Sequence, residues 1–203
     1  MTYDLLISLF LFALISTCTP GPNNIMLLAS GMNYGVLRTI PHMLGIGIGF
    51  PLMVFLVGIG ASKVFDVVPN SYLVLKICCT LYFLYLAWRI ATAVEPDTET
   101  LKIDNSQNKP LTFLEAVAFQ WINPKAWTMA LTAIGLYTPS GQEIGKVAIV
   151  AGAFVFAAIF STNIWATLGE KMRRIIHNDR SRKIFNYLCA FLLLASLYPI
   201  LRG

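Results

Sequence analysis

Long apolar runs alternate with short polar stretches along the whole chain. A membrane-spanning α-helix needs roughly 20 mainly apolar residues, and six runs come close to that length or exceed it. These runs are Leu5 to Leu28, Met43 to Ala61, Tyr72 to Ala93, Phe113 to Tyr137, Val147 to Leu168 and Ile184 to Leu201. We therefore predict an all-α membrane protein with six transmembrane helices. The stretch Ser30 to Ile40 is predicted to be a short connection between the first two helices.

Two of these runs are interrupted by proline near their middle. The first contains Pro20-Gly21-Pro22, and the fourth contains Asn123-Pro124. Proline lacks a backbone N–H and clashes with the preceding turn, so neither helix can continue straight through it. Lipid offers no partner to the freed backbone groups, which are tolerated only beside protein or a cavity. Helices 1 and 4 are therefore predicted to be broken at the membrane midplane, next to a binding site.

A polar segment divides the apolar runs into two groups of three. We predict a single transmembrane domain over residues 1–203, composed of repeat one at 1–94, a linker at 95–112 and repeat two at 113–203. An odd number of spans in each half makes the second half cross the membrane in the opposite sense, so the halves form an inverted repeat if they share a fold. Broken helices in corresponding positions of such repeats point to a transport site.

Composition excludes a soluble domain, because 57% of the residues are hydrophobic, 12% are charged and the mean hydropathy is +0.68. Ten Lys and Arg residues lie in the connections after the first, third and fifth runs, and four lie on the opposite side. Basic residues concentrate on the cytoplasmic side of membrane proteins, so both termini are predicted to be periplasmic. The net charge of +5 is explained by this distribution and does not indicate nucleic-acid binding.

Glycine is unusually frequent in the second run. Five glycines between positions 45 and 60 would leave one helix face smooth enough for close helix packing. Such faces permit a homodimer without requiring one.

Lys125 lies at the middle of the fourth run, directly after the second break. All ten acidic residues of the chain lie in loops or at the ends of runs, so no acid is expected to neutralise it. A buried charge is costly in a bilayer and usually marks a functional site. The half-helices that begin after each break add positive N-terminal ends. This combination predicts a site for a small carboxylate.

Polar groups beside the breaks supply hydrogen-bond acceptors that suit an ammonium group, so the predicted ligand is a zwitterionic amino acid. Asn163, in the fifth run, is included, although a hydrogen bond between helices would explain it equally well. The candidate substrate-binding residues are Thr19, Pro20, Gly21, Pro22, Asn23, Asn24, Gln120, Asn123, Pro124, Lys125 and Asn163. Lys125 is also the candidate proton-coupling residue, because a bound carboxylate favours the charged form of its amine.

The motifs T-P-G-P-N at 19–23 and N-P-K-A at 123–126, with the glycine-rich second run between them, resemble the LysE family of bacterial amino-acid exporters, in the branch called RhtB. The resemblance covers essentially the whole chain. It implies proton-driven efflux of an amino acid across the bacterial inner membrane, without a cofactor or metal. The first run is most similar to the cysteine/O-acetylserine exporters, while homoserine, threonine and leucine exporters share the same motifs.

Three other functions are weighed against export. A membrane thiol-disulfide electron carrier could use Cys18 beside the first break, but residues 120–127 contain no matching cysteine. An amino-acid-permeable channel fits an enclosed site less well than alternating access does. An enzyme is disfavoured because neither His42 nor His177 lies at the middle of a run, and both are predicted to be interfacial.

Overall fold

The described part of the chain is helical, and a computed structural model describes residues 1–63, 67–93, 109–138, 143–176 and 178–202. No strand occurs in these ranges. The helices are α1 Tyr3–Cys18, α2 Pro22–Tyr34, α3 Val36–Gly58, a 3-10 turn at Ala61–Lys63, α4 Ser71–Ala91, α5 Phe113–Ile122, α6 Pro124–Tyr137, α7 Ile144–Ile175, α8 Asp179–Ala195 and α9 Tyr198–Arg202.

Within the described ranges, three helices are long and apolar enough to cross a membrane, namely α3, the part of α4 from Leu73 onward, and α7. The pair α1 and α2, bent by 55° at the break between them, makes a fourth span if it is counted as one. The last predicted span and the fourth are each divided between two shorter helices. The all-helical membrane fold is confirmed at this level, and the six-span arrangement stays a prediction.

The first break occurs where two prolines flank a glycine. Helix α1 ends at Cys18, and the N–H of Thr19 donates to the carbonyl of Ile15 at 3.0 Å. Gly21 is extended, and Pro22 is the first residue of α2. Proline is well tolerated at this position, where its missing N–H would have had no partner in the helix. The predicted interruption of the first helix is confirmed.

The second break is a single residue, Asn123, which ends α5 and begins α6. Its side-chain oxygen accepts a hydrogen bond from the N–H of Lys125 at 3.1 Å, and Pro124 is the first residue of α6. At the other end of α5, Thr112 and Glu115 form a reciprocal capping box. The predicted interruption of the fourth helix is confirmed, and Asn123 caps the half-helix that follows it.

The connection between α2 and α3 is much shorter than expected. Helix α2 continues to Tyr34 and α3 begins at Val36, so only Gly35 joins them. Gly35 has a φ of 80°, in the left-handed region that glycine enters without strain. The prediction of a connection over Ser30 to Ile40 is therefore wrong, because polar residues in this stretch are buried and hydrogen-bonded inside the helices.

Helix α7 is the longest helix described and packs against α1, α2, α3 and α6. Its contact with α2 is made backbone to backbone, because a Cβ on Gly31 would overlap the carbonyl of Ala166, and one on Gly169 would overlap the carbonyl of Leu28. The two helices can therefore hold the first break close to the middle of α7.

The glycines of α3 bring it close to α5. A Cβ on Gly45 would lie 2.5 Å from the carbonyl oxygen of Phe113, and one on Gly49 would lie 2.8 Å from Cα of Val117. Gly47 meets nothing within 4 Å, so it takes no part in this contact. Close packing through the glycine face is confirmed for Gly45 and Gly49.

Most of the predicted linker at 95–112 lies outside the described residues, as does His177. The division into two repeats therefore stays a prediction.

Candidate functional site

A cavity of about 400 Å³ lies between the two breaks. Both half-helices α2 and α6 reach it with their first turns, while α1, α3 and α7 complete its walls. The cavity lies where the sequence predicts the site.

The amine of Lys125 joins the second break to the first. Its Nζ donates to the carbonyl oxygen of Thr19 at 2.5 Å and to the Thr19 hydroxyl at 2.9 Å. The side chain is partly buried. Among the described residues, the recorded salt bridges involve other side chains and no acid pairs with Lys125. Its charge faces only the dipoles of the α1 C-terminal end, so an anion could compete for the amine.

Asn24 fixes the geometry of the first break. Its Nδ2 donates to the carbonyl oxygens of Thr17 and Thr19 at 2.7 and 2.8 Å, which spans the point where α1 ends. The hydroxyl of Ser161, on α7, donates to the Thr17 carbonyl at 2.8 Å and lies 3.5 Å from Oδ1 of Asn24. These bonds supply the partners that lipid cannot provide.

The neighbouring carbonyls at the end of α1 also have partners. The Thr19 hydroxyl donates to the carbonyl of Ser16 at 2.8 Å, and the indole N–H of Trp165 donates to the carbonyl of Cys18 at 3.2 Å. These carbonyls were expected to accept from a ligand ammonium group. They are already occupied by protein donors, so the structure gives them a structural role.

Asn23 and Gln120 form a closed pair between α2 and α5. Nδ2 of Asn23 donates to Oε1 of Gln120 at 2.8 Å, and Nε2 of Gln120 donates back to Oδ1 of Asn23 at 3.2 Å. Gln120 is fully buried and also donates to the Ala116 carbonyl at 2.8 Å. It lies behind the cavity wall, where it orients Asn23.

The two helix N-termini at the cavity differ. At α2 the N-cap is Gly21, which makes no side-chain hydrogen bond to the first turn, so that end keeps its donors for a ligand. At α6 the side chain of Asn123 already caps the N–H of Lys125. Both helix ends were expected to offer free amides. This holds for the N-terminal end of α2, whereas the N-terminal end of α6 is capped by Asn123.

The structure brings most of the predicted residues together. Of the predicted set, the cavity is lined by Gly21, Asn23, Asn24, Asn123 and Lys125. Thr19 holds the lysine amine, Pro20 is exposed between the half-helices, and Pro22 and Pro124 begin α2 and α6.

Asn163 is not part of the site. Its side chain is exposed and donates to the Ile159 carbonyl of its own helix at 2.8 Å. Ser161 and Thr162 are the residues of α7 that line the cavity. The sequence places all three polar residues side by side, and only the helix phase, which packing determines, separates the inward pair from Asn163.

Sequence reasoning also missed the apolar wall of the cavity. Ile46 and Phe50 of α3 and Met129 of α6 line the side away from the polar groups. Their residue types are the same as those of other apolar residues in these runs, so only the fold could identify them as part of the cavity wall.

The four cysteines are free thiols, and Cys78 and Cys79 are neighbours on α4, away from both breaks. Within the described ranges, no group of three or more His, Cys, Asp or Glu side chains could hold a metal ion.

Comparison with known proteins gives a consistent result. The family model described as LysE type translocator matches residues 14–196. The chain is 31% identical over 177 residues to cysteine/O-acetylserine efflux proteins of Escherichia coli and Shigella sonnei, which covers 86% of this chain and 87% of each relative. No solved structure matches the chain.

Proposed function

This chain belongs to the LysE type translocator family, and on that premise we propose that it exports a small zwitterionic amino acid of the cysteine or O-acetylserine class. It is a multi-pass membrane transporter, and not an enzyme. Homoserine, threonine and leucine remain alternative substrates, since exporters of these amino acids share its motifs. We further propose that the site lies in the bacterial inner membrane and that both termini are periplasmic.

The observation that carries this proposal is the position of the Lys125 amine. It lies in a cavity between two broken helices, and its partners are dipoles of Thr19 with no full negative charge among the described residues. A carboxylate would form a stronger, charge-assisted hydrogen bond with the amine than a carbonyl does. The open N-terminal end of α2 at Gly21 would add favourable backbone dipoles on the same side.

Binding would then change the link between the breaks. When a carboxylate takes the amine of Lys125 away from Thr19, the direct connection from α6 to the end of α1 is lost. A ligand shifts a conformational equilibrium only through such a difference in contacts between two states. Exchange of the lysine between Thr19 and the substrate is therefore our proposed trigger for alternating access.

The rest of the substrate would contact the remaining walls. Asn24 and Thr162 line the cavity, and their side-chain oxygens would accept hydrogen bonds from the substrate ammonium. Phe50 and Met129 form an apolar wall that suits a short side chain, such as a thiol methylene or an acetyl group. Large or charged side chains would be poorly accommodated there.

Proton coupling is proposed at the same amine. A neighbouring carboxylate stabilises the protonated form of Lys125, so proton occupancy and substrate occupancy depend on each other. Under this linkage, substrate and proton favour each other at Lys125, so we expect both to be bound there together.

The alternatives are weaker on specific grounds. A thiol-disulfide carrier would need a cysteine facing Cys18 from the second break, and residues 113–138 contain none. A channel would show flux that does not saturate. Exchange of labelled for unlabelled amino acid across vesicles, which a channel does not couple, separates the two.

The test is metabolite profiling of medium from cells that overproduce the protein. We expect one amino acid of the classes named above to rise selectively outside the cells. Lys125→Gln should lower that efflux by about tenfold or more, because a charge-assisted bond to the carboxylate is lost. Lys146→Gln is the matched control, since Lys146 pairs with Glu143 at 3.1 Å, far from the cavity along α7.

Two results would count against the proposal. If no amino acid accumulates in the medium although the protein is present in the membrane, the export function is wrong. If Lys125→Gln retains normal efflux with an unchanged dependence on external pH, the proposed role of the lysine is wrong.

A further inference from the structure

A second cavity, of about 390 Å³, lies between α2, α3, α4 and the segment that leads into α5. It shares no lining residue with the cavity at the breaks. Its polar wall includes Asn33 and Tyr34 at the end of α2, His42 on α3 and Arg89 on α4. None of the groups assigned above to substrate binding reaches it.

His42 is the feature that marks this cavity. Its side chain is only 1% exposed, and neither ring nitrogen has a hydrogen-bond partner among the described residues. The sequence predicts an interfacial position for His42, and the structure adds that its ring is buried inside the protein. Buried polar groups without a partner are rare in proteins and call for an explanation. A ligand in the cavity that His42 lines would provide one.

Arg89 supplies a positive charge to the same cavity. Its guanidinium donates to the Lys109 carbonyl at 2.7 Å and lies 3.4 Å from Oε1 of Glu115, and its side chain is 10% exposed. The second carboxylate oxygen of Glu115 is already engaged by the N–H of Thr112 at 2.7 Å in the capping box. The ion pair is long and shared, so the charge of Arg89 is only partly compensated and favours an anion in the cavity.

The two cavities are placed in series along the same helices. Along α2 the first cavity is lined as far as Asn24 and the second from Met26 onward, with Asn33 about 14 Å beyond Asn24 at 1.5 Å per residue. On α3, His42 of the second cavity is one helical turn from Ile46 of the first. The second cavity lies toward the Gly35 turn, which the distribution of basic residues predicts to be cytoplasmic.

We propose that this second cavity binds the carboxylate of a small amino acid between His42 and Arg89, as an entry site on the way to Lys125. The inference rests on the proposed export function. An N–H of the His42 ring would donate to one carboxylate oxygen, and the guanidinium of Arg89 would donate to the other. The protein would then bind two substrate molecules per chain at saturation.

Equilibrium dialysis of the purified full chain with radiolabelled L-cysteine, under reducing conditions, tests this stoichiometry. We expect two molecules bound per wild-type chain, and one bound to His42→Leu or to Lys125→Gln. The double variant should bind none. Cysteine methyl ester, in which the carboxylate is blocked, should not compete at either site.

A second variant tests whether the loss of binding in His42→Leu comes from a folding defect. Arg89→Gln combined with Glu115→Gln removes both charges of the ion pair together and should also bind one molecule. Each variant is compared with wild type by size-exclusion profile and thermal unfolding. In cells, loss of the entry site should raise the internal concentration needed for half-maximal efflux by about tenfold, with a smaller effect on the maximal rate.

The outcomes distinguish this inference from the function on which it rests. Binding of one molecule per wild-type chain, unchanged in His42→Leu, would mean that only water occupies the second cavity, and the entry site would be wrong while export stands. If cysteine, O-acetylserine, homoserine, threonine and leucine all fail to bind and none is exported, both proposals fail.

Discussion

At the residue scale, the site depends on the absence of a side chain at position 21. The stem of Lys125 passes directly over Gly21, and a Cβ there would lie 2.6 Å from Cδ and 3.1 Å from Nζ of the lysine. The backbone of Gly21 is extended, with a φ of −178°, so any residue could adopt its conformation. The glycine is therefore required by the approach of the lysine and not by the backbone.

We expect Gly21→Ala to impair transport more than folding. The added methyl group meets the flexible end of a side chain, so Lys125 is displaced from Thr19 while the helices stay in place. Efflux should fall several-fold, and the melting temperature in detergent should change by no more than a few degrees. Gly152→Ala, where a Cβ meets nothing within 4 Å, is the control. Normal efflux by Gly21→Ala would show that the lysine need not pass this point.

Prediction from sequence located those residues whose position at a break follows from local chemistry. Lys125 and Asn123 were identified because a cation in an apolar run and an Asn-Pro pair can each be interpreted from the few residues around them. The roles of Asn24 and Gln120 depend on partners that only the fold brings close, and Gln120 pairs with a residue 97 positions away. For His42, sequence position indicated an interfacial residue, and only the packing of α3 shows that its ring is buried.

At the scale of single elements, glycine content alone does not reveal which positions make contact. Gly45 and Gly49 of α3 face the backbone of α5, whereas Gly47, two positions from each, faces open space. A spacing of four residues returns a helix to the same face. The sequence therefore predicted that α3 makes a close helix contact through glycine. Which glycines take part depends on the rotation of α3 relative to α5, and only the fold shows it.

The contrast between these glycines gives a direct stability test. Gly45→Ala should lower the free energy of unfolding by about 1–3 kcal/mol, because the new Cβ would overlap the Phe113 carbonyl and Cβ of Ala116. Gly47→Ala, on the same helix, should leave stability unchanged or raise it by roughly 0.5–1 kcal/mol through the higher helix propensity of alanine. Thermal unfolding in detergent would measure both. Equal effects of the two changes would contradict the α3–α5 packing described above.

The break positions were predictable at this scale, and the α2–α3 turn was not. Proline at 22 and 124 sets the start of each half-helix through its own covalent geometry. Between α2 and α3 the polar residues suggested a loop. Instead the Ser30 and Thr39 hydroxyls are hydrogen-bonded to each other at 2.8 Å inside the packed helices. Burial of paired polar groups cannot be distinguished from exposure by composition alone.

At the scale of the whole molecule, orientation is governed by the distribution of basic residues. The C-terminal part of α7 and the start of α8 carry six of the 15 Lys and Arg residues, including Arg173, Arg174 and Arg182. Such clusters are retained on the cytoplasmic side. The number of crossings then determines where each terminus lies, and this relation can be tested without knowledge of the substrate.

Reporter fusions would test the predicted orientation. Alkaline phosphatase fused after Arg202 should be active, because it folds only in the periplasm, whereas a fusion after Ala93 should be inactive. Green fluorescent protein at the same two positions should give the opposite pattern. If alkaline phosphatase is active in both fusions, or inactive in both, the two positions lie on the same side of the membrane. An even number of crossings would then separate them, which would contradict three spans in the second half.

Helix α2 is held by carboxamide pairs at both of its ends. Asn24 ties its start to α1, Asn23 ties it to α5, and Asn33 exchanges hydrogen bonds of 2.8 and 3.1 Å with Asn186 of α8. Breaking all of these together inside a bilayer would leave several amides unpaired. During a transport cycle α2 should therefore travel as one rigid piece with the segments bonded to it. Sliding would then take place at the glycine contact between α3 and α5, within the limit set by the Ser30–Thr39 hydrogen bond that joins α3 to α2.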